Sequence, residues 1–125
     1  MKLLLDSHII VWWLDDSRQL KPAIRAAIGE PTNQVSFSAA SVWELALKIA
    51  KGQLRLPDDY VERLRADGFS DLSVTVRHAV NSTRLPPLHR DPFDRMLIAQ
   101  ALAEGLVLVT HDDIITRYDV PVLEA

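Results

Sequence analysis

Two short runs, Leu3-Leu4-Leu5 and Leu106-Val107-Leu108-Val109, contain neither a polar residue nor any alternation. A strand with one wet face alternates apolar and polar side chains. A strand without alternation is buried on both faces, the habit of central strands in parallel sheets. Each run is followed closely by acid: Asp6-Ser7-His8 after the first, Thr110-His111-Asp112-Asp113 after the second. These runs predict an α/β chain with a central, mainly parallel sheet. At 125 residues with 48% hydrophobic content, the chain is expected to form one domain, residues 1–125, with a real core.

The segments between the runs fill in the pattern. Ile9 to Leu14 reads as a helix, broken by Asp15-Asp16-Ser17, and Pro22 to Ile28 as a second, shorter one. After the turn cluster Gly29-Glu30-Pro31-Thr32-Asn33, Val35 and Phe37 flank Ser36 in a short strand. A helix from about Ala40 to Lys51 follows, apolar except for the stripe Glu44, Lys48, Lys51. Asp58 to Asp67 reads as an amphipathic helix, Leu72 to Val74 as a short edge strand and Arg77 to Thr83 as a helical turn or two. Leu85-Pro86-Pro87-Leu88 cannot be helical. It delivers the chain to His89-Arg90-Asp91-Pro92-Phe93-Asp94-Arg95, where Asp91 suits an N-cap and Pro92 position N1. The helix begun there stops at Glu104-Gly105. Ile114 to Tyr118 is a short helix, and Val120 to Leu123 a final edge strand that tolerates Pro121.

Composition removes several functions. Without cysteine there is neither a disulfide nor a thiolate metal site, which suits a reducing, cytoplasmic setting. No signal peptide or membrane span is expected. A net charge of −3 argues against gripping nucleic acid by bulk positive charge.

Four acids share one description. Asp6 and Asp112 follow buried strands, Glu44 lies in the first turns of a post-strand helix, and Asp94 opens the helix that feeds the last apolar strand. In a β-α-β architecture with right-handed crossovers, these positions fall on one edge of the sheet. Each acid has a local explanation: a cap for Asp6, a capping-box carboxylate for Asp94, and an i,i+4 pair with Lys48 for Glu44. None explains why all four converge. Clustered carboxylates repel and are tolerable around a hard divalent ion, Mg²⁺ or Mn²⁺. Such an ion suits phosphodiester chemistry. Arg90 and Arg95 flank Asp94 and are candidates for binding substrate phosphates. Ser7, Thr110 and His111 complete the candidate set as supporting residues. His8, His78, His89 and His111 lack zinc-ligand spacing, and His111 is the one expected at the site edge. Asp91 is assigned the cap, and Asp113 is an extra acid.

The chain resembles PIN-domain proteins of the VapC toxin type. The resemblance lies in Leu4-Leu5-Asp6-Ser7-His8, Ser38-Ala39-Ala40-Ser41-Val42-Trp43-Glu44, His89 to Arg95 with Leu97-Ile98-Ala99-Gln100-Ala101, and Leu108-Val109-Thr110-His111-Asp112. It implies a three-layer α/β/α fold and a metal-dependent endoribonuclease that cuts RNA, with Asp6, Glu44, Asp94 and Asp112 as the four acids. It also implies a cognate antitoxin, through which alone the protein would meet DNA, and a homodimer. Trp12, Trp13, Trp43 and Leu47 offer apolar area for such a partner. Rival readings are a protein-binding module whose acids are caps, and a receiver-like Mg²⁺-binding domain. The latter would need a lysine after a late strand, where this chain has Thr110-His111-Asp112.

Overall fold

The computed structural model describes residues 1–125. Five parallel strands, β1 (Lys2–Leu5), β2 (Gln34–Ser38), β3 (Ser70–Leu72), β4 (Val107–Thr110) and β5 (Val122–Glu124), form one sheet in the order β3-β2-β1-β4-β5. The two unalternating runs lie side by side at its centre, with Leu4 opposite Leu108 and Leu5 opposite Val109.

Their burial on both faces has a direct cause. Leu3, Leu5 and Val109 join a cluster with Ile9, Ile10, Ile24, Ile28, Phe37 and Leu45 on one side of the sheet. Leu4 and Leu108 join Leu97, Ile98, Ala101, Ile115 and Tyr118 on the other. Successive side chains alternate between two cores, so the strand needs no polar residue. The helices that close these cores are α1 (Ser7–Leu14), α2 (Pro22–Gly29), α3 (Ala39–Ala50), α4 (Tyr60–Ala66), α5 (Val76–Thr83) and α6 (Pro92–Glu104). This is the three-layer α/β/α arrangement. No helix is long and apolar enough to cross a membrane.

Local chemistry accounts for the helix ends. Asp91 accepts the amides of Phe93 and Asp94 at 2.8 and 3.4 Å, with Pro92 at N1. Gly105 closes the same helix with φ of 68°, a left-handed conformation that glycine adopts without a Cβ penalty. In α6 five consecutive residues, Leu97 to Ala101, are buried. The helix runs through the interior rather than along the surface.

Several boundaries differ from expectation. The edge strand β3 begins two residues before Leu72 and ends there, and α4 is shorter than the Asp58 to Asp67 segment. The last strand begins after Pro121, whose ring has no N–H to offer the sheet and whose carbonyl accepts from Leu108. Ile115–Arg117 is one turn of 3₁₀ helix. At two positions α3 departs from the expected polarity. Glu44, in the expected solvated stripe, is 8% exposed, whereas Trp43 is 63% exposed. The first turns of α3 face the sheet edge, so the acid points inward and the indole outward. Trp12 and Trp13 pack against the first core and are only partly available.

Because Leu97 is 1% exposed in the core beneath the start of α6, Leu97→Ala is expected to destabilise the fold by about 2–5 kcal/mol. Urea denaturation checks this as a lowered midpoint with an unchanged slope.

Candidate active site

The strand order reverses at β1: the chain runs from β1 to β2 on one side and returns to β4 on the other. In open parallel sheets, the carboxyl ends at such a switch point frame a crevice. Asp6 follows β1, Thr110 ends β4 with Asp112 two residues beyond, and the starts of α3 and α6 bring Glu44 and Asp94 to this edge.

Hydrogen bonds hold the acids in place. Asp6, buried, caps α1 by accepting the His8 amide at 2.7 Å, and its other oxygen accepts the Thr110 hydroxyl at 2.5 Å. Thr110 also accepts the Asp112 amide at 3.1 Å, so one hydroxyl ties the ends of β1 and β4 together. Asp112 Oδ1 accepts the Ile114 amide at 2.7 Å. Ser7 donates to Glu44 Oε1, and Lys48 Nζ lies 3.1 Å from Oε2. The expected surface pair thus exists, but only on the outer oxygen of a buried carboxylate. Asp94 makes no reach back to the Asp91 amide, which donates to His89 Nδ1 instead. Its carboxylate sits 3.0 Å from His89 Nε2, which lies 2.9 Å from Asp112 Oδ2.

The electrostatics match the crowding. Burial, then the charges of Asp91, Asp6 and Asp112, push the Asp94 carboxyl up to about 7, against a smaller opposing effect of His89. Burial also raises Asp6, partly offset by the Thr110 hydrogen bond and His8. At Asp112 burial works upward too, but hydrogen bonds from His89 and the Ile114 amide outweigh it and hold the group below its usual value. Asp94 therefore senses both Asp6 and Asp112 across the crevice. An all-carboxylate donor set under mutual repulsion fits a hard divalent cation. One ligand atom each from His89, Asp94 and Asp112 lie within 4.8 Å of one another.

The PIN domain family model matches residues 3–121. The chain belongs to the PIN-domain family. It is 31% identical over 113 residues to Ribonuclease VapC22 of Mycobacterium tuberculosis strain H37Rv, covering 88% of this chain and 86% of that protein. Its fold resembles the promoter-DNA-bound VapBC2 structure from Rickettsia felis, with TM-score 0.75, 15% identity and 99% and 98% of the two chains covered. It also resembles DNA-bound VapBC from Salmonella typhimurium, with TM-score 0.74, 18% identity and 99% and 98% covered. FitAcB from Neisseria gonorrhoeae follows at TM-score 0.66 and 21% identity, over 98% and 96%.

Within this PIN domain some expected roles shift. Arg95 does not face the crevice as a free cation. Its Nη1 donates to the carbonyls of Pro86 and His89 and to Tyr118 Oη, and its Nη2 to the carbonyls of Ser82 and Leu85. The guanidinium organises the irregular segment before α6, because Leu85-Pro86-Pro87 leaves carbonyls that no helix or sheet can satisfy. Arg90 is exposed and keeps its charge for solvent. His111 is not at the acid cluster: its Nδ1 lies 2.8 Å from the Ala125 carbonyl and its ring packs edge-on against Trp12. The histidine among the acids is His89. The signal for it was its position, in an extended loop five residues ahead of Asp94. Asp113 is exposed and takes no part in the network.

Two outcomes follow. Between its ordinary value of 3.8 and about 7, the fold retains a proton on Asp94 that the unfolded chain has released, so rising pH favours unfolding. In metal-free buffer, Asp94→Asn therefore raises the unfolding midpoint, more at pH above about 7 than near about 4. Thermal unfolding in EDTA at both pH values measures it. Arg95→Lys, which cannot span the same carbonyls, is expected to cost about 1–3 kcal/mol and to speed hydrogen exchange at the His89 and Asp91 amides.

Proposed function

We propose that residues 1–125 act as one metal-dependent endoribonuclease domain, the toxin of a toxin–antitoxin pair, hydrolysing RNA phosphodiester bonds in the cytoplasm. One observation carries the reading: Asp6 and Asp112, each following a central strand, lie close enough to Asp94 at the start of α6 to push its carboxyl up, at the switch-point edge of a PIN domain. A relative named Ribonuclease VapC22 supports the substrate class.

Asp6, Glu44, Asp94 and Asp112 are the residues that would hold the ion, Mg²⁺ or Mn²⁺. When bound, it would supply Lewis acidity towards the phosphodiester and activate a water. The chain's own contribution is placement. Thr110 fixes Asp6 and the backbone of Asp112; Ser7 fixes Glu44; the Ile114 amide fixes Oδ1 of Asp112, leaving Oδ2 towards His89. These donors keep each carboxylate from turning away from its neighbours before substrate arrives, so no reorganisation is needed at the reaction. Asp94, the acid pushed up to about 7, gains most from a positive charge and is the group whose ionisation limits assembly of the site. Arg90, exposed and four residues before Asp94, is the cation this reading assigns to an RNA phosphate.

The neighbouring structures include VapBC complexes. A groove of about 540 Å³ lies between α3, α5 and α6, lined by Trp43, Leu47, Val74, Phe93 and Met96. Trp43 packs edge-on against Phe93 at 5.3 Å between centroids, one residue from Glu44 and Asp94 respectively. This apolar strip bordering an acidic site suits an antitoxin segment that carries apolar side chains and one basic group. A homodimer is part of the same reading.

The test is cleavage of a structured RNA pool by the purified chain, with Mn²⁺ or Mg²⁺, with EDTA, and with Asp94→Asn and Asp6→Asn. Cleavage that needs the metal and falls by about two orders of magnitude or more in both variants, roughly 3 kcal/mol of transition-state stabilisation, supports the reading. A folded chain that neither cleaves nor binds metal is a protein-binding module.

A further inference from the structure

His89 stands in the loop leading into α6, its side chain 11% exposed, and both ring nitrogens are engaged. The Asp91 backbone amide reaches Nδ1 at 3.1 Å. An amide only donates, so Nδ1 is the acceptor and the ring's proton lies on Nε2. Nε2 in turn faces Asp112 Oδ2 at 2.9 Å and Asp94 Oδ2 at 3.0 Å, both acceptors. One N–H is thus shared between carboxylates carried by two different elements. An imidazole ligates a metal through an unprotonated nitrogen, and here that nitrogen is closed off by the Asp91 amide. Presenting the Nε2 lone pair would move the proton to Nδ1, where it would meet an N–H head on.

The ring's pose is set from outside the acid cluster. The His89 amide donates to Tyr118 Oη at 2.8 Å, and its carbonyl accepts from Arg95 at 3.3 Å. Tyr118 Oη donates to the Pro86 carbonyl at 2.8 Å. Nothing in this scaffold needs an imidazole, since the bonds use the His89 backbone. Beyond the Asp91 amide on Nδ1, the side chain is therefore available for the two acids that Nε2 faces.

We propose that His89 is a positioning residue of the nuclease site. It holds Asp94 and Asp112 together as an Nε2–H donor, and it remains a donor rather than a ligand when a divalent ion binds. The inference rests on the metal-nuclease reading. Supporting groups of this kind tune metal sites by orienting carboxylates that would otherwise splay apart.

Two measurements on the full chain test it. Nitrogen-15 NMR of the His89 ring near neutral pH, with and without Mg²⁺, reports which nitrogen carries the proton. Calorimetry with Mn²⁺ compares the natural chain with His89→Ala and His89→Gln. Expected are a protonated Nε2 in both NMR states, Mn²⁺ binding weakened about 10- to 100-fold in His89→Ala, and recovery in His89→Gln, which keeps an N–H donor. An unprotonated Nε2 with Mg²⁺ bound would make His89 a ligand and overturn the inference while leaving the nuclease reading intact. Unchanged Mn²⁺ affinity in a folded His89→Ala would overturn it equally. Should that variant not fold, the proton position in the natural chain decides alone. No metal binding by the natural chain would remove the nuclease reading, and this inference with it.

Discussion

Carboxylates crowded at one edge of a sheet repel one another in a medium less polar than water, and the rest of the molecule is arranged around containing that repulsion. Each acid of the crevice has its own donor. Thr110 serves Asp6, Ser7 serves Glu44, and His89 serves Asp94 and Asp112 together. These donors come from the end of β4, the start of α1 and the loop before α6, all at the carboxyl edge of the sheet. Asp94 remains the weakest point, since its own helix start places Asp91 close enough to raise it further.

The scaffold that keeps the acids from separating is of two kinds. Beneath them are two apolar cores on opposite faces of the sheet, with β1 and β4 contributing to both. Beside them is a polar knot. Arg95 and Tyr118 satisfy the carbonyls of the proline-rich approach to α6 and carry the His89 backbone. Apolar packing cannot organise a segment without secondary structure, whereas a planar guanidinium with its donors in a fixed fork can. The loop is therefore tied down by side-chain bonds, and it delivers an imidazole to the acids.

Charge and apolar surface are laid out in a way that suits two different partners. The crevice is acidic, so an anionic polymer approaches it only with the help of a cation and of nearby arginine. The adjoining strip with Trp43 and Phe93 is apolar and exposed. The seating of α3 creates this juxtaposition: Glu44 and Leu45 turn inward, and Trp43, about 100° round the helix from Glu44, is left outside.

Much of the architecture was legible in the chain itself. Unalternating runs required a sheet covered on both faces, and Asp91-Pro92 and Gly105 set the ends of α6, because capping and burial on both faces are written in residues close in sequence. Asp6, Asp94 and Asp112 could be placed on one edge for the same reason: each follows a strand or opens a helix. What lay beyond the sequence was decided through space. Arg95 could be read as a phosphate ligand until the carbonyls of Ser82, Leu85 and Pro86 were seen around it. Glu44 could be read as a solvated partner of Lys48 until α3 turned it against Ser7. His89 rather than His111 joined the acids because Tyr118, 29 residues on, and Arg95 fix the loop that carries it. The sequence by itself determined which elements form and which edge gathers the acids, since both follow from local pattern and chain topology. Only the tertiary structure decided which polar side chains face that edge, since orientation depends on partners brought together by folding.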